Sequence, residues 1–219
     1  MAKQSWKPGN MLYPLPVVMV SVADQNGNPN IITIAWAGTV CTNPPMVSIS
    51  VRPERYSYHM IRETGEFVIN LTTRELAYAT DYCGVVSGRE HDKFAEMKLT
   101  ATPGEKVAAP MIAESPVNIE CRVVKVEELG SHHMFVAEVV AVHADEKYLD
   151  DRGRFELAKA DPIVYSHGTY FTLDQAVGTF GYSVRKPLKG KGFQKNSRKK
   201  SAQKSAPKSA SKSAKKKLD

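Results

Sequence analysis

Cysteine is scarce and scattered. Cys41, Cys83 and Cys121 lie far apart, are odd in number and never form a C-x-x-C pair. That spacing argues against a disulfide framework, a zinc ribbon and a thioredoxin-type redox motif, and it reads as small residues in a reducing cytoplasm. No apolar run approaches the ~18 residues of a spanning helix, so no membrane insertion is expected. Met1 to Pro8 lacks the apolar stretch of a signal peptide. Also missing are a G-x-G-x-x-G after a strand and a P-loop, which excludes a dedicated dinucleotide-binding domain. There is no H-E-x-x-H, and the adjacent His132 and His133 would point to opposite faces of a strand. No metal centre is therefore expected, and His133 reads as a surface histidine. No Ser-His-Asp order has local support, so nothing points to hydrolysis.

Acid is nearly absent from one end. From Arg185 onward 14 Lys or Arg face a single acid, Asp219, while the rest of the chain holds 16 basic and 22 acidic residues. The formal charge of +7 thus conceals a mildly acidic body and a basic extension. Residues 186–219 repeat Lys-Ser-Ala units and carry almost no large apolar side chain. Such a stretch cannot bury a core and is expected to be a disordered tail. Its charge can give weak, salt-dependent attraction to nucleic acid or anionic surfaces. Residues 1–185 are enough for one substantial domain.

What is plentiful is alternation with period two. Val17–Ala23, Asn30–Trp36, Met46–Arg52, Phe67–Leu71, Asn118–Glu127 and Met134–Val142 read as strands. Asn26-Gly27 marks a hairpin, and Gly130-Ser131-His132-His133 a second turn. Gly38–Pro45 reads as a loop, 101–116 as an irregular excursion, and Pro162–Phe171 as a last extended, aromatic piece. Tyr58–Glu63 is helical by pattern with Gly65 as its C-cap. Thr72, with Glu75 three residues on, has the spacing of a capping box opening a helix that runs to about Cys83. At least six strands with few helices predict a β-barrel rather than a doubly wound sheet.

Two of these strands have unusual second faces. In the first, Ile32, Ile34 and Trp36 share one face while Thr33 and Ala35 share the other. In the second, Val47, Ile49 and Val51 oppose Ser48, Ser50 and Arg52. Small residues on a strand let a flat ligand or another backbone come close. Arg52 and Arg55 can fork onto phosphate oxygens, and Ser57 with nearby backbone N–H groups can complete a cradle at the start of a helix.

At Tyr13–Val18, Asn30–Trp36 and Asn43–Arg52 the chain resembles the flavin reductase-like family, and within it the flavoredoxin branch. Gly65–Leu71, Asp92-Lys93-Phe94, Gly130-Ser131-His132 and Phe180–Ser183 extend the likeness over roughly 185 residues. The resemblance implies an FMN-binding split barrel of Greek-key-like order. It implies a homodimer with FMN near the interface, the segment Tyr165–Phe171 and the loop from Ser87 completing a neighbour's site. Asn30, Thr33, Ala35, Trp36, Ser48, Ser50, Arg52, Arg55, Ser57, Asn70, Ser87 and Lys93 become candidate cofactor contacts. Lys93 is placed for the phosphate or the pyrimidine edge, ranking below Arg52 and Ser57. His132 falls where the family carries a histidine beside the isoalloxazine. The family often has an acid before it, and this chain has Ser131.

Two functional readings follow. One is an oxidoreductase that passes reducing equivalents from NAD(P)H to flavin or an electron-accepting partner, the nicotinamide stacking on an open flavin face without a domain of its own. The other is a flavin-binding carrier or sensor whose tail associates with nucleic acid.

Overall fold

The computed structural model describes residues 1–185, so the expected tail, 186–219, lies outside the described residues. Met1–Gln175 forms one compact unit, and Tyr182–Val184, later in the chain, makes a single 3-10 turn.

β1 (Leu15–Pro16) is short, as a segment with prolines at 14 and 16 has few donors to pair. β2 (Val18–Ala23) and β3 (Pro29–Ile34) form the hairpin expected around Asn26-Gly27. Asp24 fixes that turn, its Oδ1 accepting from the N–H groups of Asn26 and Asn28, both at 2.8 Å. β4 (Ala37–Cys41) and β5 (Met46–Val51) make a second hairpin. The first half of the segment read as a loop is therefore strand. Gly38, Thr39 and Val40 are all exposed on this edge strand, so no apolar alternation marks it in the sequence. α1 (Tyr56–Thr64) starts two residues earlier than its pattern suggests. It ends where Gly65 takes φ +69° and donates its N–H to the Ile61 carbonyl at 2.9 Å.

β6 (Glu66–Leu71) is followed by α2 (Ala77–Val85), which begins well after the proposed cap. Thr72 does not cap it. Its hydroxyl donates to the Val17 carbonyl at 2.6 Å, and Thr73 bridges to Pro162, so these residues prolong the sheet. α3 (Lys93–Glu96) is capped by Asp92, which accepts from the Ala95 N–H. The excursion holds only a two-residue ladder, β7 (Ala101–Thr102) with β8 (Met111–Ile112). The carboxylate of Glu120 pins it by accepting the N–H groups of Glu105, Lys106 and Val107 at 2.7–2.9 Å. β9 (Val117–Glu128) and β10 (His133–Ala144) form the long hairpin, and β11 (Ile163–Ser166) and β12 (Thr169–Thr172) a last one that pairs with β1.

The hydrogen-bonded order of the main sheet is β3-β2-β6-β9-β10-β5-β4. β3 and β4 stand at opposite edges, yet only Ala35 and Trp36 separate them in sequence. A connection from Ile34 to Ala37 spans at most about 11 Å, so the sheet must curl until its edges meet. The expected barrel results, with a Greek-key-like order in which β2 neighbours β6 and β5 neighbours β10. The Ser50 N–H donates to the Trp36 carbonyl at 2.8 Å at this seam.

Alternation decides what fills the barrel. Val20, Ile32, Ile34, Val47, Ile49, Val51, Phe67 and Phe135 point inward, and α1 closes one end with Tyr58, Met60 and Ile61. β2 is buried on both faces. Met19, like Ile31 on β3, packs outward under α2 and α3 with Leu76, Cys83 and Phe94. Each such side chain contributes roughly 1.5–3 kcal/mol of burial. The helices thus lie over β3, where the small residues of interest are found. All three cysteines are free, and no helix among the described residues is long and apolar enough to cross a membrane.

Candidate functional site

Two clefts open beside β3, and they share Ile32, Arg52, Arg55 and Gly84 as a common wall. The larger, about 610 Å³, is floored by Thr33, Ala35 and Ser50 and flanked by Trp36 and His132. Its far wall is the last hairpin, through Tyr165 and Tyr170, together with Asp81 and Gly84 of α2. The smaller, about 450 Å³, is lined by Asn30, Ser57, Ser87, Arg89 and Lys93 around the N-terminus of α1. Their combined size suits a ligand larger than a single ring system.

The flat cleft follows from local sequence. Thr33 turns away from the barrel interior and gives its hydroxyl proton to the Thr80 carbonyl of α2. A Cβ at Gly84 would lie 3.2 Å from the Thr33 Cβ, so glycine there lets α2 approach β3 closely. Trp36 does not join Ile32 and Ile34 on the core face, because the strand ends at Ile34. Its indole, 38% exposed, stacks on His132 with centroids 5.9 Å apart and planes 9° from parallel. The Nδ1 of His132 faces the Ser131 hydroxyl at 3.0 Å, which leaves Nε2 for a ligand. Burial, then the Arg52 cation, lowers the His132 pKa and favours the neutral ring.

The second cleft is strongly cationic. Arg52 is not a free fork, since its guanidinium reaches the Glu54 carboxylate at 3.2 Å. Arg55 occupies the N-cap of α1 without a side-chain cap, so the first-turn N–H groups of that helix have no side-chain acceptor. Ser57 is almost fully buried and its hydroxyl accepts from the Asn30 amide at 2.8 Å. Lys93, 4% exposed, donates to the carbonyls of Ile31 at 2.7 Å and Cys83 at 2.9 Å. Burial pushes its pKa down to about 8. It ties α2 to β3 and keeps one further proton for a ligand.

Of the residues singled out from the sequence, Thr33, Ala35, Trp36, Ser50 and His132 meet in the first cleft, and Asn30, Ser57, Ser87 and Lys93 in the second. Arg52 and Arg55 stand between. Three residues stand elsewhere than the sequence suggests. Asn70 is fully buried away from both clefts, with all its capacity used. Its amide donates to the Met19 carbonyl at 3.0 Å, and its oxygen accepts from the Ile112 N–H at 3.0 Å and from Asn118 at 2.7 Å. It fastens β2, β6, β8 and β9 together. Ser48 lies one step further along β5, in an adjoining groove against residues 9–15. His133 is not a surface residue either: its Nδ1 meets the Tyr58 hydroxyl at 2.8 Å. Tyr165, Tyr170 and Ser87, from the segments that the resemblance places at a dimer's site, line the clefts of this chain.

Asp81, Gly84 and Arg89 also line the clefts and were not singled out from the sequence, and Tyr170 was named only within the segment Tyr165–Phe171. The Tyr170 hydroxyl donates to Asp81 at 3.0 Å, tying the last hairpin to α2 across 89 residues. No local pattern announces such a contact. Arg89 stood beside Ser87 in a visible charged loop, and its proximity to Lys93 was the available signal.

A family model described as "Flavin reductase like domain" matches residues 10–174, and the chain belongs to that family. Flavoredoxin of Desulfovibrio vulgaris (Miyazaki F) superposes with a TM-score of 0.79 at 33% identity, covering 84% of this chain and 100% of that one. Flavoredoxin from Methanosarcina acetivorans gives 0.77 at 32% over the same shares. The reductase component of a 4-nitrophenol 4-monooxygenase/4-nitrocatechol 2-monooxygenase from Rhodococcus opacus is 30% identical over 127 residues, 58% of this chain and 65% of that protein. The barrel is therefore the split barrel of flavoredoxins.

Proposed function

We propose that the protein binds FMN across the two clefts and passes reducing equivalents from NAD(P)H to free flavin or to an electron-accepting partner. The observation that carries this reading is the junction of a flat, small-residue cleft with a cationic one, in a chain of the flavin reductase-like family. The residues present fit FMN: room for a ring system over Thr33, Ala35 and Ser50, and a doubly charged phosphate beside Arg52, Arg55 and Ser57. Bound flavin would supply the hydride and electron chemistry.

The chain's own part is binding, orientation and exclusion of water. Arg55 and the first turn of α1 hold the phosphate, with Arg52 exchanging part of its Glu54 contact for it. Ser57 is kept in place by Asn30. Trp36 and His132 form one wall of the ring pocket, and neutral His132 offers Nε2 as a hydrogen-bonding atom. Tyr165 and Tyr170 form the opposite wall. The absence of a Rossmann fingerprint accords with a nicotinamide that is recognised chiefly by stacking. The oxidoreductase reading also draws on the Rhodococcus relative, a monooxygenase reductase component. We further read the protein as a cytoplasmic homodimer, supported by three free cysteines and by exposed Val40, Val124 and Val142 on three strands of the sheet.

The test is spectroscopic. Purified protein with FMN should show a flavin absorbance band that bleaches on anaerobic addition of NADH or NADPH. A band that forms and does not bleach with either would leave a passive flavin binder and overturn the enzymatic reading.

A further inference from the structure

The cationic cleft carries more positive charge than one phosphate monoester uses. Its lining holds Arg52, Arg55, Arg89 and Lys93 against a single acid, Glu54, and that acid is bonded to Arg52. A phosphate monoester carries about two negative charges at neutral pH. Arg52, Arg55 and the uncapped first turn of α1 match that charge, and Lys93 gives two of its protons to carbonyl oxygens. Arg89 is left over.

Its position is built rather than incidental. Ser87 shapes the turn by accepting the Arg89 N–H on its hydroxyl at 3.3 Å and the Glu90 N–H on its carbonyl at 3.2 Å. Gly88 lets this turn press on Asn30: a Cβ there would lie 2.2 Å from the Asn30 Oδ1. That approach lays the Arg89 guanidinium over the ring of Tyr56, 5.7 Å from its centroid. Tyr56 is the first residue of α1, so the ring holds a planar donor fork at the mouth of the cleft, beside the helix N-terminus. Among the described residues Arg89 forms no ion pair.

We propose that Arg89 is a specificity-determining residue that receives a second phosphate, so that the cleft recognises the diphosphate of a dinucleotide. This rests on the reading that the adjoining cleft holds a flavin. The diphosphate can belong to the flavin itself, as in FAD, or to NAD(P)H lying over bound FMN. Both present a second phosphate one bridging oxygen from the first, which is the chemistry a spare bidentate cation selects.

Arg89→Ala and Arg89→Lys separate the possibilities. Affinities for FMN and FAD are read by flavin fluorescence, and affinity for ADP-ribose, a diphosphate without a redox ring, by calorimetry. KM is measured for NADH and for reduced nicotinamide mononucleotide, which has one phosphate. Arg89→Ala should leave FMN affinity within about twofold and weaken ADP-ribose roughly tenfold, the loss of one charge-assisted contact. Arg89→Lys should recover part of it. A matching loss for FAD assigns the diphosphate to the flavin. A rise in the KM for NADH at constant kcat, with the mononucleotide unaffected, assigns it to the nicotinamide. Equal losses for FMN and ADP-ribose, or none for any diphosphate ligand, would overturn the proposal. Wild-type protein that binds ADP-ribose through Arg89 but neither FMN nor FAD would sink the flavin reading, and with it the dinucleotide assignment, leaving only a diphosphate contact at Arg89.

Discussion

At Lys93 the folded protein keeps a cation under cover, and its pH behaviour separates phosphate binding from simple burial. Its pKa falls from 10.5 to about 8 because burial penalises the charged form. Between those values the unfolded chain binds the proton that the folded chain has released. This group therefore makes stability rise with pH from about 8 to about 10.5, and its charged form is a cost below 8. A phosphate placed beside Nζ reverses the balance by holding the ammonium charged. FMN affinity should then fall as pH climbs above 8, with proton uptake on binding, while riboflavin affinity stays level. Fluorescence titrations at pH 7 and pH 9 check this, and a slope shared by both flavins would remove Lys93 from the phosphate site. Arg55 is the simpler case: Arg55→Ala should weaken FMN about tenfold or more and riboflavin little. Asn70 is the counterpart outside the site. Asn70→Leu leaves the Ile112 N–H unpaired in the core and removes one of the two acceptors of the Asn118 amide, a cost of roughly 2–4 kcal/mol in urea denaturation. The folded fraction should keep its FMN affinity.

At the scale of elements, the turn at Gly88 joins packing to recognition. Gly88→Ala would drive a methyl into the Asn30 side chain, whose amide holds Ser57. The displaced turn should cost about 1–3 kcal/mol of stability and weaken FMN several-fold. Loss of stability with unchanged FMN affinity would mean that the turn is scaffold alone. Such coupling explains what the chain discloses in advance. The inward-facing strands are legible because alternation is a local property: Val47-Ser48-Ile49-Ser50-Val51 states its own two faces. Arg52 and Arg55 are legible because a cation pair next to a strand of small hydroxyls serves no core. β4 is not, since an edge strand exposed on both sides has no pattern to show. Asn70 misleads for the opposite reason. A lone amide on a strand looks the same whether it meets a ligand or closes a polar network, and only the chain brought back from Ile112 and Asn118 decides. The contact between Tyr170 and Asp81 belongs to the same class, made by topology and invisible to spacing.

At the scale of the whole molecule, assembly and the basic extension are distinct questions with distinct readouts. The lining residues that this chain supplies to the two clefts run from Asn10 to Tyr170. Light scattering should give a dimer, and a monomer with full FMN affinity and full turnover would refute that expectation. The extension from 186 holds 13 of the 30 Lys and Arg residues against one acid, and almost no large apolar side chain. A segment of that composition has little means of fixing itself over a flavin ring, since ordering it costs entropy that no burial offsets. Truncation after Arg185 should leave FMN affinity and turnover with NAD(P)H intact. Retention on DNA at low salt, if the extension provides it, should vanish with the truncation and fade in the full chain as salt rises. A sharp fall in turnover with FMN still bound would place the extension in the catalytic cycle. The fold argues against that outcome: Arg52 at a strand end, Arg55 at a helix cap, Lys93 through buried hydrogen bonds and Arg89 over the Tyr56 ring already supply the cations of the cleft.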